Sequence, residues 1–274
     1  MRPVASGTNT LFARHAAPLA AACALVVAAV PIHAQSLAGR MSSLRDGTTQ
    51  LRFASRPGVC GDGRGSIGTS GNTIMRRNSS DDGYDRDWCV PGPVRVVLDV
   101  RDGKVNRARV YVGGNDSSAG VHDLGTVGAR EAADYFLFLA RDARSNVGDD
   151  AILAAVLADS VTPWPRLFDI ARSESVHEGT RSSALFWLSR AAAARVNHRE
   201  LFAGRDEEES DRDEVRNAAI FALSQQPRDE GVPALIRVAR SNSSPSARDK
   251  ALFWLGQSGD PRAIDLFAEI LGEK

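Results

Sequence analysis

The chain has 274 residues, in which 34 Lys and Arg are balanced by 34 Asp and Glu. Its arginines are spread along the sequence rather than gathered in a block, which argues against nucleic acid as a partner, because that footprint needs a basic patch or stripe. A chain of this length can hold one or two domains.

The first 34 residues read as a secretory signal peptide. Arg2 and Arg14 form a basic start, Leu19 to Val30 is apolar, Pro31 breaks the run, and Ala34 places a small residue before a cut at Gln35. The apolar run is too short for a membrane span, which needs about 20 residues. Lipidation of Cys23 is disfavoured, since alanines stand at 20–22 where leucine is usual. Cleavage would leave 32 basic against 34 acidic residues, a net of −2, and a mature form that does not span a membrane. It would also leave Cys60 and Cys89 as an even pair in an oxidising compartment, periplasmic or secreted, so a disulfide between them is expected.

Residues 35–125 are expected to form a small β-containing, disulfide-linked region. Positions 35–48 read as a loose polar lead-in, and Leu51 and Phe53 in TQLRFAS give a short strand. The Gly, Ser and Asp-rich stretch 61–87 reads as a loop spanned by the bridge. PVRVVLDV and VNRARVYV read as a hairpin around Asp102-Gly103. Pairing Leu98 with Ala108 and Val96 with Val110 buries both apolar sets, whereas a one-residue slip exposes one of them. That register predicts a three-residue turn, Asp102 to Lys104, with Gly103 or Lys104 left-handed. Leu51 and Phe53 supply a third strand, the sheet rests on the first helix of the C-terminal half, and 113–127 is a linker.

From Ala129 onward the periodicity is helical throughout. TRSSALFWLSR (180–190), VRNAAIFALSQ (215–225) and ARDKALFWLGQ (247–257) share one pattern, with an arginine seven residues before a closing leucine. The leucines Leu188, Leu223 and Leu255 are 35 and 32 residues apart, and a degenerate unit ends at Leu157. A second helix type alternates at 165–173, 232–241 and 262–271, with Pro165, Pro233 and Pro261 near helix starts. One helix pair cannot bury its apolar face, but stacked pairs can. The three leucines are therefore expected to be buried and equivalent, with Phe186, Trp187 and their counterparts filling the core between layers.

These units, and ALFWLGQSGDPRAIDLF above all, resemble the HEAT-repeat family in its short bacterial form. The resemblance implies a right-handed α-α superhelix over 126–274, and a structural role for Arg181, Arg216 and Arg248 in tying adjacent units. The acidic run Asp206, Glu207, Glu208, Glu209, Asp211, Asp213 and Glu214 suits the N-terminus of the following helix. A weak calcium site or a contact to a basic partner is the alternative there. The run lacks the EF-hand spacing.

No catalytic, cofactor-binding or metal-binding residue stands out. His122, His177 and His198 fall in loops or at helix ends and form no HExxH. Ser66, Ser70 and Ser79 lie in the loop, and no serine sits in GxSxG. The expected function is an exported protein-interaction or assembly module without its own catalysis or cofactor. The β-containing half and the acidic run would carry specificity. The alternatives are a hydrolase or lyase using acids near the β–α junction, bilin-lyase HEAT proteins being the related enzymes, and a purely structural envelope protein.

Overall fold

The computed structural model describes residues 36–44, 46–69, 72–75, 88–114, 120–143, 146–197, 211–240 and 244–273. The segment read as a signal peptide, Ser70, Ser79, His198 and the acidic residues Asp206, Glu207, Glu208 and Glu209 lie outside them. The described residues belong to one unit, Gln35–Lys274.

The lead-in is a helix rather than a loose segment. Ser36 caps α1 (Leu37–Ser43) by accepting from the Gly39 N–H, and Leu37 and Met41, one turn apart, are buried. Two apolar residues one turn apart were too weak a signal against so many polar neighbours.

Four strands form the main sheet: β1 (Gly47–Phe53), β6 (Val94–Arg101), β7 (Lys104–Val112) and β8 (His122–Thr126), in the order β7-β6-β1-β8. Leu51 and Phe53 do supply the third strand, pairing antiparallel with β6. The expected linker contains β8, which lies parallel to β1 and has little apolar alternation to announce it. In the hairpin, Leu98 faces Ala108 and Val96 faces Val110, as burial requires. The turn differs from expectation. It has two central residues, Asp102 and Gly103, with φ of 52° and 69°, and Arg101 pairs with Lys104. A register shift between Asp99 and Val100 accommodates Asn106, so a bulge reconciles the tight turn with the buried face.

The stretch read as a loop begins as a second sheet. Strands β2 (Val59–Gly61), β3 (Ile67–Thr69), β4 (Asn72–Met75) and β5 (Val90–Pro91) pair antiparallel in the order β4-β3-β2-β5. The Cys60–Cys89 disulfide is formed, with Cα atoms 4.9 Å apart. Ile67 is fully buried. Gly63 and Gly114 both have positive φ, and a Cβ on either would stand 2.6 Å from the other's Cα, so two glycine turns pack backbone to backbone. Asp62 organises the first turn by accepting from the Arg64, Gly65 and Ser66 N–H groups at 2.8–2.9 Å. Partial burial pushes its carboxyl up, but these hydrogen bonds outweigh it and hold the carboxyl below its usual value. A depressed folded-state pKa means stability that is present at neutral pH and lost as pH falls below the unfolded value near 3.9. Asp62→Ala is accordingly expected to lower the thermal midpoint by about 2–4 °C at pH 7. The difference from the parent should shrink as pH drops toward about 2–3 in calorimetric scans. An undiminished difference there would mean that the carboxylate is not the stabilising species.

The helical part comprises α2 (Ala129–Asp142), α3 (Val147–Leu157), α4 (Trp164–Arg172), α5 (Glu178–Val196), α6 (Asp211–Ser224), α7 (Arg228–Arg240), α8 (Pro245–Ser258) and α9 (Pro261–Leu271). Helix α3 is apolar on every side and buried on every side. It meets the main sheet through β6 and β7, while Phe53 of β1 reaches Phe136 of α2 with ring centroids 6.0 Å apart. The sheet thus rests on the first helices, and its core is continuous with theirs. Arg56 fastens the junction. Its guanidinium donates to the Val156 and Val161 carbonyls and lies over Trp164, while its N–H donates to Leu157 O. Pro165 and Pro261 lie at helix starts as expected, but Pro233 lies inside α7, its sixth residue.

The helices do not stack in sequence order. Helix α8 packs against α5 on one side and against α6 and α7 on the other, and α9 packs against α5 and α4. Among the described residues, helices α5 and α6, consecutive in the chain, have no substantial contact. The last pair, α8–α9, is inserted between α4–α5 and α6–α7. Gly256 makes the α5–α8 approach close, since a Cβ there would lie 2.8 Å from that of Ser189.

Candidate interaction surface

The closing leucines are not equivalent, and the difference locates a surface. Leu188 and Leu255 are fully buried. Leu223 is only partly buried and lines a cavity of about 280 Å³ between α6, α7 and α8. Among the α6 residues whose side chains are described, 216–224, Ile220 alone is in the buried core, and the helix packs against α7 and α8.

The phenylalanine two positions before each closing leucine turns away from the core, because two residues carry a helix about 200° round its axis. Phe186 and Phe253 are half-buried and Phe221 is 48% exposed, so these side chains do not all fill the layers as expected; Trp187, one position later, is buried. Phe221 leans on Trp254, centroids 5.2 Å apart, and Trp254 stands edge-on to Phe253 at 5.0 Å. Beside this aromatic run, Gln225, Gln226, Gln257 and Arg228 are among the residues that line the cavity. The arrangement offers an apolar contact next to groups that both donate and accept hydrogen bonds.

The repeat arginines act between helices at two positions. Arg248 donates from Nε to Asn197 Oδ1 at 2.8 Å, joining α8 to the end of α5. Arg216 Nη1 donates to Ser244 Oγ, the cap of α8, at 2.7 Å. Arg181 Nε is buried without a hydrogen-bond partner among the described residues. Asp211, Asp213 and Glu214 fall in the first turn of α6, where acids oppose the helix dipole.

Near the β–α junction, the acids serve local structure. Asp123 accepts from the Gly125 N–H at 2.7 Å and pairs with Arg52 at 2.9 Å; the backbone bond first, then Arg52 and Gln50, hold its carboxyl below the usual value against slight burial. Glu131 accepts from the Leu37 N–H at 2.5 Å, and Asp134 pairs with Arg166 at 3.2 Å. His122 opens β8, not a loop, and is exposed; its carbonyl accepts from the Thr49 hydroxyl. His177 is at a helix end as expected, capping α5 by accepting the Gly179 N–H on Nδ1. Among the described residues, no group of three or more His, Cys, Asp or Glu is placed to hold a metal ion, and no helix is long and apolar enough to cross a membrane.

Residues 207–274, spanning α6 to α9, match the family described as HEAT repeats. No curated protein and no solved structure matches the chain.

Proposed function

We propose that the protein is an exported interaction module built on HEAT-like repeats, and that it binds a protein partner on the α6–α8 face. The observation that carries this reading is Phe221, half exposed and leaning on Trp254, which itself lines a cavity shared with three glutamines and an arginine. Exposed aromatics grouped beside convergent polar groups are a feature of binding sites rather than of ordinary surface. The HEAT-repeat match covers the same helices, and stacked repeats present extended faces for partners. The right-handed superhelical sense belongs to this proposal, as does the division into a β-containing cap (35–125) and a repeat half (126–274). Export rests on the basic-then-apolar N-terminal segment, and the Cys60–Cys89 bridge suits an oxidising compartment such as the periplasm. The specificity expected of the β-containing half would rest on the stretch 61–87, of which 70–71 and 76–87 lie outside the described residues; the reading proposed here rests on the helices.

The test uses the whole chain as bait for envelope proteins, in parallel with Phe221→Ser. A saturable partner should be captured by the parent. Its affinity should fall about tenfold or more for the variant, as loss of an aromatic anchor does, with the thermal midpoint little changed. No saturable protein partner, or equal capture by both, would overturn the reading.

A further inference from the structure

The start of α5 carries an unusual cap. His177 stands where helices commonly place Ser, Thr, Asp or Asn, and its Nδ1 accepts from the Gly179 N–H at 3.2 Å. A backbone N–H can only donate, so Nδ1 keeps a free lone pair and the neutral ring carries its proton on Nε2. A Ser, Thr or Asn oxygen accepts at every working pH. Histidine does not, because its charge ordinarily changes between about pH 5 and 8. The ring is exposed, so solvent protons reach it. A proton taken up at Nδ1 turns the acceptor into a donor that faces another donor. It also sets a full positive charge at the N-terminal end of a 19-residue helix, where the dipole disfavours cations.

The neighbouring helix offers such a ring another partner. Asp149 lies in the first turn of α3, which packs against α5. The two first turns touch, since a Cβ on Gly148 would run into the Thr180 hydroxyl. Oδ1 of Asp149 is enclosed and accepts no hydrogen bond among the described residues. Burial pushes the Asp149 carboxyl up, and the charge that His177 can carry pulls it down, so the two groups lie within electrostatic reach. The other elements packed against α5 are α4, α8 and α9. On α4, Arg166 pairs with Asp134, Arg172 pairs with Asp265 of α9, and Asp169 is exposed. On α9, Arg262 pairs with Asp260 and Glu269 with Arg240. On α8, Arg248 and Asp249 engage Asn197 at the far end of α5, with Lys250 beside them in sequence. Around the cap itself stand Glu174, Glu178 and Arg181, and Asp150 is buried beside Asp149 on α3. Glu174 and Glu178 are exposed, where an ion pair is worth little. The enclosed Asp149 oxygen gains more from a cation, because water does not already satisfy it.

We infer that His177 is a pH-operated cap: neutral, its ring closes the first turn of α5; protonated, it leaves Gly179 and pairs with Asp149 of α3. Acidification thus exchanges a contact within α5 for one between α3 and α5. Amide hydrogen exchange and carboxyl carbon shifts, read by NMR on the whole chain, test this. Between about pH 7.5 and 5.5, protection of the Gly179 amide, corrected for its intrinsic rate, should fall at least fivefold. The Asp149 carboxyl carbon should shift in step. His177→Asn keeps a cap that does not titrate, so protection should hold within twofold and the Asp149 step should vanish. Asp149→Asn leaves the protonated ring only its costs, so the loss at the acid end should be cut by half or more. A parent whose Gly179 protection ignores pH overturns the inference. So does a His177→Asn or Asp149→Asn protein that loses protection as the parent does. An Asp149 step that survives His177→Asn overturns it too, because the carboxyl would then be titrating by itself.

Discussion

Leu255→Ala and Leu188→Ala are each expected to cost about 3–5 kcal/mol of unfolding free energy, and Leu223→Ala about 1 kcal/mol or less. The three leucines hold the same place in the repeat pattern, so sequence alone gives them one value. The structure separates them by what surrounds the side chain. Leu188 and Leu255 are enclosed on all sides, so truncation removes contacts and leaves a void that the rigid α5–α8 stack cannot close. Leu223 already borders a 280 Å³ cavity open to solvent, where water replaces much of what the methyls touched. Denaturant unfolding of the three variants at equal slope measures the difference. Equal losses at all three would show that α6 is packed as tightly as the inner helices, and would remove the loosely held face from which the proposed interaction surface is built.

The helices were legible because burial on one side of a helix imposes a period, and the repeat imposes a second, longer one. Helices α2 to α9 are present where those periods place them, except that α7 begins four residues earlier and takes Pro233 into its interior. The main hairpin was half legible. The apolar alternation set the register between Leu98 and Ala108, but it carries no information about how the chain turns once the side chains reach solvent. There Asp102 and Gly103 took the tighter turn, and Asn106 was bulged to reconcile it with the buried face. The short elements were hidden for a related reason. Helix α1 has two buried side chains, and β8 has none that is fully buried, so neither produces a pattern. The glycines at 61–65 read as slack chain; in the fold they allow two turns to touch where side chains would collide. The site was the least legible part. Phe221 has the same sequence position as Phe186 and Phe253, and only the displaced stacking order leaves it at an edge.

That stacking order has its own consequence at Gly256. Substitution by valine is expected to cost about 3 kcal/mol, at the upper end of overpacking effects, although glycine is itself a poor helix residue and its replacement by alanine is worth roughly 1 kcal/mol in an exposed helix. The added carbon would meet Ser189 at 2.8 Å and the Leu185 carbonyl at 3.2 Å, both on α5. The Leu185 carbonyl is backbone, and it limits how far either helix can retreat. If the units stacked in sequence order, α6 would lie between α5 and α8, and Gly256 could not feel residue 189 at all. A double-mutant cycle decides between the arrangements. Gly256→Ala alone should destabilise, and Ser189→Gly should cost its helix propensity and the hydroxyl bond to the Phe186 carbonyl. Combined, the two should be less harmful than their sum by about 1 kcal/mol or more, because the second change makes room for the first. Residues in separate layers would instead be additive to within about 0.5 kcal/mol. Additivity at these two positions would place α8 away from α5, and with it would fall the displaced α6 and the exposed face it presents.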